Sequence, residues 1–165
     1  MSRILKVCTR SGVFLSPVKH LVAQALIAHL ESAQAEAVAR LDSLKEALES
    51  EAKSTAGDKH ETGRAMIHQE MEQVDATRER CDHHIREVTK WRNADVQPQQ
   101  VNPGVLVRTD GPWVLVGIPL GKIQITDALV LAISAEAPVA KAWQGAKVGD
   151  SVRLGPQTLT IEGLF

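Results

Sequence analysis

Asp58 and Glu61 place two carboxylates three positions apart in a short polar segment, residues 54–63, that reads STAGDKHETG. Carboxylate oxygens are hard ligands suited to magnesium, and an ion held that way generates a hydroxide nucleophile and neutralises charge on a phosphoryl group. Two carboxylates do not complete such a centre. The ion needs further oxygen ligands, such as substrate phosphates, from a second molecule. The same pair also suits a plain helix start, with Asp58 as a turn or capping residue and Glu61 as an early acid favoured by the helix dipole. Lys59 adds a cation beside them, able to offset one carboxylate or to meet a substrate phosphate.

The elements on either side decide where this segment is carried. Ser16 and Pro17 form a capping serine and first-turn proline, and from there to about Lys53 the chain has neither glycine nor proline. Ile27, Gln34, Leu41 and Leu48 recur every seven residues with Leu30, Ala37 and Leu44 between them, the spacing of a coiled-coil seam that Gln34 weakens locally. A helix of that length spans about 55 Å. A second helical pattern runs from Glu61 or Thr62 to Trp91 or Arg92, with glycine only at its entry. Ile67, Val74, Cys81 and Val88 hold one seam position, and Met71, Thr77, His84, Ile85 and Trp91 lie on or beside the other. Two apolar stripes of similar length joined by a short turn bury each other in an antiparallel hairpin. Asp58 and Glu61 then sit at the far end of a rod spanning residues 16–95, with its tip at 54–63.

Residues 96–103 are polar, with Pro98 and Pro103 among glutamines, and read as a linker. Beyond it the period becomes that of strands: Val105 to Arg108, Trp113 to Ile118, Ile123 to Ile125, Ala128 to Ile133, Ser151 to Leu154 and Thr158 to Ile161, with a short helix from about Pro138 to Gln144. Residues 104–165 therefore form a small α+β domain, with Trp113 and Trp143 as core anchors and Gly149 and Asp150 as a turn. Residues 1–15 read as an N-terminal extension.

With 44% hydrophobic residues, 3% aromatics and a formal charge of -1, the chain falls in the globular class. It lacks the basic surface that holds a protein to nucleic acid directly. Cys8 and Cys81 are too far apart in sequence to read as a disulfide framework, and no apolar run reaches the roughly 20 residues a bilayer requires. These features predict a cytoplasmic protein with no membrane partner. Cys81, His83 and His84 do not have zinc-site spacing on a helix, so Cys81 reads as a small apolar seam residue. His60 and His68 flank the exit of the turn and read as solvated or partner-contacting side chains. There is no phosphate-cradling glycine loop, nucleophile elbow or paired-cysteine motif.

Two separate motifs carry a family resemblance. Gly57, Asp58, Lys59, His60 and Glu61 match a glycine, aspartate, two variable residues and glutamate at a rod tip. Ile133 to Ala142 leads into Gly145, Ala146, Lys147, Val148, Gly149 and Asp150, similar to a serine-proline-leucine segment, short helix and glycine-lysine-lysine-valine-glycine-aspartate turn. In this order the chain resembles, over residues 17–165, the bacterial Gre transcript-cleavage factor family. The resemblance implies an antiparallel coiled coil followed by a domain similar to the FKBP fold, and a non-enzymatic accessory factor that binds RNA polymerase through its secondary channel. It implies that Asp58 and Glu61 act in trans on magnesium-dependent cleavage of backtracked RNA, sharing the ion with the polymerase rather than holding one stably. It places partner contacts at Lys59, His60 and Arg64 near the tip, and at Ala137, Pro138 and Lys141 in the second domain. Nucleic acid is then met only through the polymerase, by a monomeric factor.

The tip departs from the family at three places. Lys59 stands where the family has leucine, Thr62 where it has asparagine, and the tyrosine just beyond is missing from a chain with no tyrosine. A non-cleaving regulator of the same channel is therefore a second reading, and a coiled-coil adaptor for another protein a third. A prolyl isomerase is disfavoured, because such pockets are walled by aromatics that this domain largely lacks.

Overall fold

The computed structural model describes residues 15–52, 59–94, 98–125 and 128–165. Two long helices, α1 (Leu15–Ala52) and α2 (Lys59–Asn93), pack together and are followed by a six-stranded mixed sheet, an α+β architecture. The helix starts differ slightly from expectation. Leu15 is already helical, so Ser16 lies inside the first turn instead of capping it, and Pro17 remains within that turn, where its missing amide costs little. Helix α2 begins two residues before Glu61, which moves Gly63 from the helix entry into its interior. The strength of the flanking pattern outweighs the roughly 1 kcal/mol penalty of one helical glycine. Residues 1–14, most of the expected extension, lie outside the described residues.

The chain divides into two compact units, residues 27–86 and the remainder. In the first, the helices run antiparallel: Gln34 Nε2 donates to Asp82 Oδ1 at 2.7 Å, and six residues further along α1 Arg40 Nε donates to Glu70 Oε1 at 2.9 Å. Leu30, Ala37, Leu44 and Cys81 are buried between them. Ile27, Leu41, Leu48, Ile67, Met71 and Val74 are only half-buried. A pair of helices offers each stripe one partner, so the centre of the seam closes while its flanks stay partly wet. Gln34 lies on such a flank, and its amide is answered by Asp82 across the seam.

The other unit contains the sheet: β1 (Leu106–Thr109), β2 (Trp113–Val116), β3 (Gly121–Ile125), β4 (Ala128–Ile133), β5 (Ser151–Leu154) and β6 (Gln157–Leu164), with the short helix α3 (Pro138–Trp143) between β4 and β5. Strand order is β3-β4-β2-β1-β6-β5, antiparallel throughout except for the parallel pair β2 and β4. The β3–β4 hairpin reverses the chain, so β4 returns alongside β2 in the same direction. That return depends on Gly117, which leaves β2 at φ 114 and donates its amide to Ile133 O at 2.8 Å. A Cβ there would stand 3.1 Å from the Gly104 nitrogen, and few side chains tolerate that φ.

Val107, Val114, Val116, Val152, Ile161 and Leu164 form the core with Ala140 and Trp143 of α3. Trp143 is 1% exposed and donates its indole N–H to Arg153 O of β5 at 2.8 Å, which gives that edge strand's carbonyl a partner. Trp113 stacks on Phe165, with ring centroids 5.5 Å apart. The backbone of Phe165 exchanges two 2.9 Å hydrogen bonds with Leu106, tying the end of the chain to β1. Val101, within the polar segment read as a linker, is fully buried, and its backbone is bonded on both sides to Gly145 and Ala146.

Candidate functional site

The candidate residues form two groups, one at the tip end of the hairpin unit and partly outside the described residues, the other around α3 in the sheet-containing unit. In the hairpin unit, antiparallel pairing brings the C-terminal end of α1 and the N-terminal end of α2 to the same end, the end that residues 53–58 connect. Asp58 is among those connecting residues and lies outside the described part. Lys59 and His60 open the first turn of α2. Glu61 follows in that turn, with its side chain exposed and no hydrogen bond or ion pair to any described residue. An early-helix carboxylate is stabilised by the free amides and dipole of the helix start. Glu61 thus presents an exposed carboxylate from a fixed backbone, which suits a ligand donated to an ion held mainly by another molecule. Arg64 and His68, one and two turns further on, are also exposed. Among the described residues no three of His, Cys, Asp and Glu gather as a metal site.

Three pairs of charged residues farther along the hairpin are engaged with one another. Arg78 donates to Asp75 at 2.7 Å, and that hydrogen bond and the charge of Asp75 raise the guanidinium above its ordinary value. Arg40 is committed to Glu70 and Lys45 to Asp42.

The second group surrounds α3. Ala137 precedes the helix with an extended backbone, and Pro138 takes its first position. A turn prepares this entry: Ala137 N donates to Ser134 O at 3.1 Å and Glu136 N to Ser134 Oγ at 3.2 Å. Six residues make a helix too short to hold itself, so its position comes from packing. Ala140 and Trp143 turn into the core, leaving Pro138 and Lys141 exposed and Ala137 half-buried. Lys141 Nζ lies 2.7 Å from Glu136 Oε2, a pair that is open to solvent and weak enough to be exchanged for a partner. The following loop also exposes Val148, at 57%. Gly149 and Asp150 are structural. Asp150 accepts from Lys147 N at 2.8 Å and Gly149 N donates to Ile161 O at 2.8 Å, closing the turn before β5.

One feature of the sheet-containing unit has no warning in the residue pattern. Trp91 reads as a seam residue and is buried, yet it also lines a groove of about 670 Å³ that includes Lys19, Val105, Ile118 and Phe165. Sequence spacing ties Trp91 to α2 alone, and its neighbours come from distant stretches of chain. Among the described residues, no helix is long and apolar enough to cross a membrane. Comparison of the chain with protein-family models, curated proteins and solved structures gives no match.

Proposed function

We propose that this protein is a transcription factor that binds bacterial RNA polymerase, inserts the 54–63 end of its helical hairpin into the secondary channel, and stimulates magnesium-dependent cleavage of backtracked RNA. The observation that carries the reading is the antiparallel pairing of α1 and α2 with an exposed Glu61 in the first turn of α2. A rod with acid at its end can deliver ligands into a narrow passage that a globular domain cannot enter. Asp58 and Glu61 would hold the ion together with polymerase carboxylates and RNA phosphate. Bound there, magnesium supplies a hydroxide nucleophile and charge neutralisation at the scissile phosphate. Hydrolysis belongs to the polymerase, and this chain is its accessory.

The other residues would act as partner contacts. Lys59 would offer its positive charge to RNA phosphate. Arg64 offers guanidinium donors to the channel wall. Pro138 and Lys141, with Ala137, form a second contact outside the channel, held by the burial of Ala140 and Trp143. Without two anchoring points a single exposed tip would bind weakly, since linkage through one folded chain raises the effective concentration of the second contact.

A second reading is favoured by one observation at the tip itself. Lys59 directly follows Asp58, Thr62 stands where the resembling family has asparagine, and the family's tyrosine just beyond is absent from the region of Gly63, Arg64 and Ala65. A channel occupant with that tip would bind without stimulating cleavage. Binding of the purified protein to core polymerase, by gel-shift or interferometry, tests what both readings share. Asp58→Ala plus Glu61→Ala should leave binding in place, because the proposed contacts at Lys59, His60, Arg64 and α3 persist. Absence of any binding would sink both readings and favour an adaptor for another protein.

A further inference from the structure

The groove that includes Trp91 lies wholly within the sheet-containing unit, and its volume of about 670 Å³ is in the range of small-molecule sites. Its apolar walls are the side chains of Val105, Ile118 and Phe165 together with the Trp91 indole. Trp91 is 7% exposed, and its Nε1 is the only buried side-chain polar atom among the described residues with no hydrogen-bond partner. Buried donors are almost always answered, by protein, water or ligand, because an unmet one retains its desolvation cost.

Among the described residues, the charged side chains around the groove are Lys19, Glu87 and Lys90. Lys19 is already engaged. Its ammonium donates to Ala94 O at 2.6 Å and lies 5.4 Å over the Trp91 ring. Lys90 is exposed and makes no hydrogen bond or ion pair with a described residue. An apolar cleft beside a buried, unanswered indole N–H and an exposed ammonium selects a ligand with an apolar body and an anionic acceptor.

We propose that this groove binds a small amphipathic carboxylate, a medium-chain acyl or aryl acid. Its apolar body lies against Trp91, Val105, Ile118 and Phe165, and its carboxylate offers acceptors to the Trp91 N–H and the Lys90 ammonium. Glu87 opposes the same charge, so the ligand carries a single carboxylate and its acid group lies on the Lys90 side. The indole nitrogen is closed to solvent, so an acceptor reaches it only when the adjacent wall yields. This makes the indole signal a specific reporter of occupation. The proposal is independent of the polymerase reading and stands or falls without it.

The test uses the full chain labelled with ¹⁵N, whose three tryptophans give separate indole N–H signals. Trp91→Phe assigns the reporter, and decanoate, kept below its micellar concentration, is the probe. The Trp91 signal should move saturably with a millimolar or tighter dissociation constant, as a ligand of this size permits. The signals of Trp113 and Trp143 should move less. Lys90→Glu should weaken binding by about tenfold, the scale of one charge-assisted contact, while the unchanged Trp113 and Trp143 signals show that the variant is folded. Decanol, with the same chain and no charge, should bind correspondingly worse. A Trp91 signal that does not respond saturably overturns the site. Equal binding of decanoate by the Lys90→Glu variant, or of decanol by the unmodified chain, overturns the assigned ligand class.

Discussion

The cross-seam bond between Gln34 and Asp82 should be measurable as a coupling energy, and its sign separates register-setting from simple packing. Gln34 Nε2 and Asp82 Oδ1 are 2.7 Å apart, and both residues are half-buried. A hydrogen bond to a charged acceptor is worth about 1.5–3 kcal/mol when well shielded, and partial exposure reduces it toward about 1 kcal/mol. Gln34→Ala, Asp82→Ala and the double variant form a cycle in which the packing lost with each side chain cancels, leaving the pair term. Thermal and urea unfolding, followed by far-ultraviolet circular dichroism, should give a favourable coupling of about 1 kcal/mol. Each kcal/mol corresponds to a Tm change of about 2–4 °C in a chain of this size. Replacing both residues with leucine should leave the hairpin at least as stable as the parent, because an apolar pair closes the flank of the seam without a polar group to satisfy. A coupling below about 0.3 kcal/mol, the ordinary limit of additivity, would refute the assignment of a structural role to this bond.

Two further predictions concern the elements that hold the second contact group. Trp143→Phe should destabilise the sheet-containing unit by about 2–3 kcal/mol, combining a lost hydrogen bond to Arg153 O with the space vacated by the larger ring; urea unfolding checks it, and a loss under about 1 kcal/mol would contradict the role given to Trp143. Gly117→Ala should cost about 1–3 kcal/mol, because it imposes a side chain at φ 114 and 3.1 Å from the Gly104 nitrogen; unaltered thermal stability would show that the β2 exit tolerates what this geometry forbids.

How much of this was legible in the sequence depended on the range of the forces involved. The two helices were visible because heptad spacing over many turns is a long, redundant signal, and β4 and β5 were placed with their observed ends because turn residues flank them closely. Helix starts were less legible. Lys59 and His60 carry no apolar signal, so the pattern begins at Glu61 although the backbone is helical earlier. Gln34 looks like a weak point in sequence because its partner, forty-eight positions away, is set by register and not by local sequence. Val101 lies among glutamines and prolines that identify a linker by composition, yet β-type bonding to 145–146 draws it into the core. The parallel pairing of β2 with β4 could not be read from strand patterns, since alternation is blind to strand direction.

The candidate residues divide along the same line. Glu61 is legible in sequence by its spacing from Asp58, whereas Ala137, Pro138 and Lys141 are candidates through the family resemblance alone; the structure leaves Glu61, Pro138 and Lys141 exposed and Ala137 half-buried. Asp58 was equally visible in sequence and lies outside the described residues. The Trp91 groove was not visible, because its walls come from α2, the segment before β1, and the chain's last residue. A seam position explained Trp91 sufficiently until the unmet indole N–H showed that packing alone does not satisfy it.

The most direct test of the polymerase reading is RNA cleavage in a defined backtracked complex of purified bacterial RNA polymerase with magnesium, with and without this protein. The account predicts faster release of the RNA 3′ fragment with the unmodified chain, and no acceleration with Asp58→Ala plus Glu61→Ala at concentrations where that variant still binds. Equal acceleration by both proteins, or binding by the unmodified chain with no acceleration at all, would contradict it.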